Sequence, residues 1–275
     1  MLQDKKIGFI GAGKMCEAIL SGIIKAEIVS NNNVSVTDIS MDRLNILQEK
    51  YKVNTINNKD NTGLKQIIDI CDIIILAIKP QMAQKVLEPL KNNYKDKMII
   101  SIMGGVTVSR IKELTNSKKI IRVMPNTPML IGEGVAGICN NEEISKENFD
   151  LAIKIFECVG IVYKLDEKLI DALTGVSGCG PAFAYMFIDA LADAGVMQGL
   201  SRQMAIEMAA KMLVGSAKMV LELGEHPDKL KDDVCSPAGG TIAGVYALEK
   251  GAFRATVIDA VEKSCTRMKE VGKNS

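Results

Sequence analysis

The sequence predicts an α/β fold in its first part and an all-α fold in its second. Up to Leu165, short apolar runs alternate with helix-like segments, which is typical of a parallel sheet with crossover helices. After Phe183 the strand-like runs stop and long helical patterns follow. Between them, Thr174–Phe183 (TGVSGCGPAF) combines glycines with a proline that can open a helix. We therefore predict domains at residues 1–164 and 165–275, with this stretch joining them at a ligand site.

The composition excludes several classes of protein. Hydrophobic residues make up 47% of the 275 residues, charged residues make up 24%, and the formal net charge is +1. This balance argues against a nucleic-acid partner or an anionic-membrane partner. The apolar run Ile73–Ile78 is far shorter than the roughly 20 residues that a bilayer span needs. The N-terminus lacks the pattern of a signal peptide, and the seven cysteines include no C-x-x-C pair. We expect reduced thiols and a cytoplasmic location.

A glycine turn lies between the first predicted strand and the first predicted helix. The β-type run Lys6–Ile10 leads into GAGKM at residues 11–15, and a helical pattern follows. In a dinucleotide-binding βαβ unit, Gly11 would permit the tight turn and Gly13 would let the backbone approach a pyrophosphate. Cys16 replaces the third glycine of that fingerprint. An ordinary glycine-rich βα turn is the alternative.

Asp38 follows the next predicted strand, Val34–Thr37. An acidic residue there can accept a hydrogen bond from the ribose 2′-OH of the cofactor, which favours NADH. Ser40 and Arg43 follow closely and could instead hold the 2′-phosphate of NADPH. An N-cap role in the predicted helix Met41–Tyr51 is the alternative for Asp38.

Further strands are predicted where apolar runs end in polar or small residues. Ile73–Ile78 is continuous and β-branched, as expected of a central strand covered on both faces. The other predicted strands are Met98–Met103, Lys119–Met124, Val135–Cys139 and Gly160–Leu165. Ile73–Ile78, Met98–Met103 and Lys119–Met124 are followed by KPQ, GG and PNTP, respectively. We therefore expect the carboxyl ends of these three strands to line the ligand crevice of a parallel sheet.

The second half is predicted to be helical. Pro181 opens Ala182–Met197, which is apolar on almost every side, followed by predicted helices at Arg202–Leu223 and Asp228–Val234. The second half is short for burying Ala182–Met197 alone, so we expect this helix to pack against a second subunit. An ordinary core helix is the alternative.

The loop Cys235–Thr241 precedes the predicted helix Ile242–Lys250. Its exposed N–H groups, its hydroxyls on Ser236 and Thr241 and the helix N-terminus could form a cup for a small carboxylate. A helix-capping turn is an equally good interpretation. His226 is the only histidine, so the sequence predicts no zinc site and no Ser-His-Asp triad.

These residues resemble the pyrroline-5-carboxylate reductases. The resemblance runs through IGFIGAGKM, LAIKPQ, SIMGGVT and RVMPNTPMLIGEG, and then through two longer and more specific C-terminal blocks at residues 171–196 and 226–254. It implies a Rossmann-like domain followed by a helical dimerisation domain. It also implies an enzyme that uses NADPH or NADH to reduce pyrroline-5-carboxylate to proline, as a homodimer gathered into a larger ring such as a decamer.

The resemblance also implies site residues. The cofactor contacts would be Ile10, Gly11, Ala12, Gly13, Lys14, Met15, Ala77, Ile78, Lys79 and Pro80, with Met103, Gly104 and Asn126 near the nicotinamide. They join Asp38 and Ser40, which the position after the second strand already indicates as cofactor contacts. The substrate carboxylate would lie at Ser236, Gly239, Gly240 and Thr241, and Thr174 would face the substrate ring as the catalytic residue. Gly240 stands where the family loop usually has a hydroxyl residue. No metal is implied.

The chemistry of the bond explains why a strong acid is not required. A protonated cyclic imine already carries the positive charge that hydride neutralises, so the site mainly has to hold the ring and anchor its carboxylate. Hydroxyacid dehydrogenases have a catalytic lysine where this chain has Ala184. Two alternatives remain, namely an imine or keto-acid reductase with another substrate and a non-catalytic NAD(P)-binding sensor.

Overall fold

An eight-stranded sheet organises the first part of the computed structural model, which describes residues 2–273. The strand order is β3-β2-β1-β4-β5-β6-β7-β8. The strands are β1 (Ile7–Ile10), β2 (Val34–Asp38), β3 (Asn54–Asn57), β4 (Ile73–Leu76), β5 (Met98–Ser101), β6 (Lys119–Met124), β7 (Gly134–Asn140) and β8 (Gly160–Lys164).

Twelve α-helices are present among the described residues. They are α1 (Lys14–Lys25), α2 (Met41–Tyr51), α3 (Thr62–Ile70), α4 (Ala83–Leu87), α5 (Val108–Thr115), α6 (Lys146–Glu157), α7 (Ile170–Leu173), α8 (Gly180–Met197), α9 (Arg202–Leu223), α10 (Pro227–Asp233), α11 (Gly240–Lys250) and α12 (Phe253–Lys273). Short 3₁₀ segments lie at Leu2–Asp4, Asn31–Asn33, Pro80–Met82, Glu88–Tyr94, Thr127–Ile131 and Glu167–Leu169. No helix in the described part of the chain has the length and apolar character needed to cross a bilayer.

The prediction of a central strand covered on both faces is confirmed for β4. Alternate residues of a strand point to opposite faces of its sheet. Accordingly, Ile73 and Ile75 belong to one buried apolar cluster, and Ile74 and Leu76 belong to another. The strand stops at Leu76 rather than continuing to Ile78, so the two residues after Leu76 are free to line the edge of the sheet.

The strand order reverses next to β1, and this reversal positions the candidate site. β1 pairs in parallel with β2 on one side and with β4 on the other. The loops after β1 and β4 therefore leave the sheet at the same edge. In open α/β sheets, ligands bind in the crevice that such a switch point creates at the carboxyl ends of the strands.

Two parts of the sheet differ from the predicted one. β7 runs antiparallel to β6, because the short turn through Thr127–Ile131 reverses the chain without the crossover that a parallel neighbour requires. The sequence analysis also assigned no strand at β3, whose sequence NTIN contains a single apolar residue, Ile56. β3 pairs with β2 as an edge strand, where one apolar side chain is sufficient.

The glycine-rich stretch after α7 is helical, not a turn. Thr174–Gly178 forms one turn of π-helix, and Cys179 N donates to Thr174 O at 2.8 Å, which is the i→i−5 bond of that geometry. Single π-turns inside helical segments occur frequently at functional sites. Pro181 is the second residue of α8, where a missing N–H costs no helical hydrogen bond.

A buried arginine anchors the segment that carries this π-turn. The side chain of Arg122, on β6, is 4% exposed and forms ion pairs with Glu167 at 3.1 Å and Asp171 at 3.6 Å. Glu167 also accepts a hydrogen bond from Val108 N at 2.8 Å, at the start of α5. The carboxylates therefore compensate the buried charge and hold Asp171 in α7, three residues before Thr174, against the sheet.

The chain divides into two units, which are Met1–Cys179 with Ser264–Ser275 and Gly180–Lys263. The boundary predicted at residues 164 and 165 remains a prediction. The second unit contains α8 to α11 and the first part of α12, so the helical character predicted for it is confirmed. The predicted helix Arg202–Leu223 is present with the same limits as α9.

The helix α8 is not a core helix of this chain. Ala192 is its only buried residue, whereas Tyr185 and Met186 are exposed by 61% and 72%. Large exposed apolar side chains also lie on α9, such as Leu221. Exposed apolar side chains of this size and number are typical of a surface that contacts another protein. The alternative of an ordinary core helix is therefore wrong within the single chain.

Candidate functional site

A cleft of about 330 Å³ lies at the switch point of the sheet. Its walls come from the loops that follow β1, β2, β3 and β4 and from the helical segment after β4. The lining residues are Ile10, Gly11, Gly13, Thr37, Asp38, Ile39, Asn58, Ala77, Ile78, Lys79, Met82 and Val86. The predicted glycine turn, the predicted acidic residue Asp38 and Lys79 of the KPQ segment after β4 thus line one cavity.

Gly11 lets the loops after β1 and β4 come together. Its φ angle is +102°, a conformation that residues with a Cβ rarely adopt. A Cβ at this position would lie 2.4 Å from Ala77 O. Gly11 N also donates to Thr37 O at 2.8 Å, which ties the turn to β2. The floor of the cleft therefore requires glycine for two reasons, its backbone conformation and the space available.

Gly13 has a different role, because a Cβ there would meet no atom within 4 Å. It is the N-cap of α1 with φ −70°, and no side chain caps the helix. Unpaired N–H groups and the helix dipole make such a helix start favourable for an anion. The open space at Gly13, next to an uncapped helix start, fits the pyrophosphate of a dinucleotide.

Asp38 is held by the backbone at the end of β2. Its carboxylate accepts hydrogen bonds from Ala12 N at 2.7 Å and from Ser40 N at 2.9 Å. Each carboxylate oxygen keeps capacity for a further donor, such as a ribose hydroxyl. The alternative that Asp38 is the N-cap of α2 is wrong, since Ser40 is the N-cap and its Oγ accepts from Arg43 N.

Arg43 is already engaged in an ion-pair cluster. Its Nε donates to Ala12 O at 2.9 Å, and its Nη2 pairs with Glu17 at 2.8 Å. Glu17 also binds Lys50 Nζ at 3.0 Å and Tyr51 OH at 3.3 Å. The hydrogen bond from Arg43, reinforced by Lys50, lowers the pKa of the Glu17 carboxyl below its usual range, so that this group stays ionised at neutral pH.

Cys16, in place of the third fingerprint glycine, packs in the apolar core beneath α1. It is fully buried, and this burial raises the pKa of its thiol far above the usual value. The thiol is therefore neutral and serves as a small apolar group. All seven cysteines of the chain are free.

Not every predicted cofactor residue lines the cleft. Ile10, Gly11, Gly13, Asp38, Ala77, Ile78 and Lys79 do so, while Ala12, Lys14, Met15, Ser40, Pro80, Met103, Gly104 and Asn126 lie outside its lining. The sequence analysis missed Thr37, Ile39, Asn58, Met82 and Val86. Ile39 could have been predicted, because an apolar residue directly after Asp38 lies beyond the end of the buried strand and is therefore available to a ligand. It is 75% exposed.

Asn126 connects the PNTP turn to the π-helix. Its side chain is largely buried, and its Nδ2 donates to Ser177 O at 3.0 Å. Its Oδ1 accepts from Val135 N at 2.9 Å. Both ends of the amide are used for these bonds, so Asn126 holds the end of β6 and the start of β7 beside the π-turn.

Thr174 is 2% exposed, and its hydroxyl donates to Ile170 O at 2.7 Å. The hydroxyl proton is therefore used within the helix, and the oxygen retains only acceptor capacity towards any other group. This hydrogen bond argues against Thr174 as a proton donor.

The end of α12 covers the glycine turn after β5. A Cβ on Gly104 would lie 2.9 Å from Met268 Cε, and a Cβ on Gly105 would lie 3.1 Å from Gly272 N. Gly105 also has a φ of +81°. The turn at Gly104 and Gly105, predicted to lie at the cofactor, is thus shaped by a close contact with α12. The sequence does not predict this contact.

The predicted anion cup lies at the start of α11. The helix begins at Gly240, earlier than the predicted Ile242, and Gly239 is its N-cap without a side-chain cap. The preceding turn is closed by Gly239 N donating to Ser236 O at 3.0 Å. Neither Ser236 nor Thr241 caps α11 with its hydroxyl, so the alternative of a side-chain capping turn is wrong. Exposed helix N–H groups beside two hydroxyls remain available to a carboxylate.

The contrast between the two glycines gives a test of the cleft. Gly13→Ala should fold with a melting temperature close to that of the unmodified chain, because its Cβ enters open space. It should weaken binding of NADH and NADPH about tenfold or more, because a pyrophosphate held at the start of α1 would need that space. Titration calorimetry and thermal unfolding measure the two effects.

Two controls accompany this variant. Gly215→Ala, at an equally open position inside α9, should leave nucleotide binding unchanged and raise the melting temperature slightly, because Ala is favoured over Gly in a helix. Gly11→Ala should lower the melting temperature. Unchanged nucleotide binding in Gly13→Ala would show that the pyrophosphate lies elsewhere.

Comparisons with known proteins agree with this geometry. A family model described as pyrroline-5-carboxylate reductase dimerisation matches residues 167–271, and one described as NADP oxidoreductase coenzyme F420-dependent matches residues 6–105. The pyrroline-5-carboxylate reductase of Methanosarcina acetivorans is 42% identical, with 99% of this chain and 100% of the relative covered. That of Escherichia coli K12 is 40% identical, with 98% and 100% covered.

A solved structure gives the same result. The crystal structure of Plasmodium falciparum pyrroline carboxylate reductase with NADP bound superimposes with a TM-score of 0.89 at 36% identity, covering 99% of this chain and 100% of that one. The fold expected from the resemblance, a Rossmann-like domain followed by a helical dimerisation domain, is confirmed. The chain belongs to the pyrroline-5-carboxylate reductase family.

Proposed function

We propose that this protein transfers hydride from NADPH or NADH to the C=N bond of 1-pyrroline-5-carboxylate, giving L-proline in the last step of proline biosynthesis. One observation carries the proposal. A chain that matches named reductases from end to end has both an open dinucleotide cradle at Gly13 and an uncapped helix start at Gly240. The first suits the cofactor, and the second suits the carboxylate of the substrate.

The residues of the cleft have distinct tasks in this proposal. Gly13 and Lys14 hold the pyrophosphate at the start of α1. Asp38 accepts hydrogen bonds from the adenosine ribose, and the exposed side chain of Ile39 packs against the adenine. Three further predicted contacts, Met103, Gly104 and Asn126, belong to the nicotinamide end. When bound, the cofactor supplies the hydride.

The substrate side of the site needs anchoring groups more than a proton donor. The N–H groups at Gly240 and Thr241, with the hydroxyls of Ser236 and Thr241, bind the substrate carboxylate. The ring nitrogen of the protonated imine already carries its proton. The Thr174 hydroxyl oxygen can only accept a hydrogen bond, so it is suited to accept one from the N–H of the protonated imine and to orient the ring.

Two alternatives were left open by the sequence. A keto-acid reductase of the hydroxyacid dehydrogenase kind needs a proton donor, and this chain has Ala184 in place of the catalytic lysine. A non-catalytic NAD(P)-binding sensor would need no carboxylate cup. The available N–H groups and hydroxyls at the start of α11 therefore favour the reductase.

We further propose that the protein is a cytoplasmic homodimer, with dimers assembled into a larger ring such as a decamer. The exposed apolar surface of α8 and α9 supports a subunit contact through the helical unit. The free state of all seven cysteines is compatible with a reducing compartment.

The activity itself is tested by mixing the purified protein with pyrroline-5-carboxylate and either NADH or NADPH. We expect loss of nicotinamide absorbance and formation of proline, detected by amino-acid analysis. No oxidation of either cofactor would refute the reductase proposal. Oxidation only with an open-chain keto acid would point to the alternative reductase.

The carboxylate cup is tested by Thr241→Val, which removes a hydroxyl and keeps the shape of the side chain. The KM for pyrroline-5-carboxylate should rise about tenfold, the effect of losing one hydrogen bond to a charged group, while the KM for the cofactor stays unchanged. Thr241→Ser keeps the hydroxyl and should retain the original substrate KM. Equal losses for substrate and cofactor would contradict the assignment.

A further inference from the structure

We propose that Glu17 sets the cofactor preference of this protein, by holding Arg43 away from the 2′-position of the adenosine ribose so that NADH is preferred to NADPH. The inference rests on the proposed function, since it concerns the cofactor of that reaction. It adds a specificity-determining residue that does not line the cleft.

The first step is the way in which Ala12 separates the two charged groups near the 2′-position. Ala12 N donates to the carboxylate of Asp38, and Ala12 O accepts from Arg43 Nε. The anion and the cation are thus bound to opposite ends of one buried residue. Asp38 lines the cleft, whereas Arg43 does not.

The second step is that Glu17 fixes Arg43 in this position. The Glu17 side chain is only 17% exposed and receives bonds from Arg43, Lys50 and Tyr51. Its carboxylate stays ionised because the hydrogen bonds and charges of Arg43 and Lys50 lower its pKa. Turning Arg43 towards the cleft would break an ion pair and the bond to Ala12 O together. Arg43 is therefore held in place, although its side chain is 31% exposed.

The third step concerns the charges that a 2′-phosphate would meet. The Asp38 carboxylate would repel the phosphate, while a 2′-hydroxyl could donate to the same carboxylate. Lys79 is a cation of the cleft lining, but it follows β4. β4 lies two strands from β2, or roughly 10 Å at the usual strand spacing. Arg43, by contrast, is linked to Asp38 through Ala12, which binds both side chains, and Glu17 retains Arg43 there.

The test compares NADH and NADPH by dissociation constant and by kcat/KM with pyrroline-5-carboxylate. The unmodified protein should favour NADH by about tenfold or more. In Glu17→Gln the carboxylate charge is lost and Arg43 can turn to the phosphate. NADPH should then improve about tenfold, the size of one charge-assisted hydrogen bond, with NADH within about twofold. Adding Arg43→Met to Glu17→Gln should remove the gain.

A matched control separates this effect from a general change in charge. Asp42→Asn removes one negative charge from an exposed residue next to Arg43 in α2. It should leave the ratio of NADPH to NADH efficiency unchanged. An equal gain in Asp42→Asn would overturn the proposal, as would a gain in Glu17→Gln that survives the loss of Arg43.

A further variant tests the inference even if Glu17→Gln does not fold. Arg43→Met alone should leave the cofactor ratio as it is, because Arg43 does not serve the cofactor in the unmodified protein. A fall in NADPH efficiency in that variant, or a preference of the unmodified protein for NADPH, would overturn the inference while the reductase proposal stands. Failure to bind either cofactor would instead reject the proposed function, and the inference with it.

Discussion

The close approach of two backbones at Gly11 is the constraint on which the rest of the cofactor site depends. Gly11 lies in the left-handed region, and its Cα faces the carbonyl of Ala77 without room for a Cβ. This contact brings the loops after β1 and β4 together at the switch point of the sheet. The start of α1 then opens into the cleft, with Gly13 as an N-cap that provides no side-chain cap. Backbone shape therefore creates the anion cradle before any side chain contributes.

Side-chain charge is arranged around that cradle through Ala12. The carbonyl of Ala12 accepts a hydrogen bond from Arg43, and its N–H donates to Asp38. The glycine turn therefore also fixes the positions of two opposite charges. Glu17, Lys50 and Tyr51 extend this cluster along α1 and α2. The turn proposed to bind the pyrophosphate and the cluster proposed to set the cofactor preference are thus parts of one hydrogen-bonded unit. A change in either the turn or the cluster should therefore alter the affinity for the cofactor.

Local signals explain which features could be predicted from the sequence. The turn at Gly11 and Gly13 and the buried strand at Ile73 depend on short stretches of chain, and their fold assignment was correct. The antiparallel direction of β7 depends on its pairing with β6, and the edge strand β3, which has a single apolar residue, depends on its pairing with β2. The pairing of Glu17 with Arg43 likewise joins groups that are far apart in the sequence, and so does the hydrogen bond from Asn126 to Ser177 O in the π-turn. No periodicity in the sequence encodes those contacts.

The central claim is that the cofactor binds in the cleft between the loops after β1, β2 and β4, with Asp38 on its ribose. A crystal structure of the protein with NADH tests it directly. The account predicts the pyrophosphate at the N–H groups beside Gly13 and both ribose hydroxyls within hydrogen-bonding distance of the Asp38 carboxylate, with Arg43 still paired to Glu17. A cofactor bound away from Gly13, or a ribose contacted by Arg43 in place of Asp38, would contradict it.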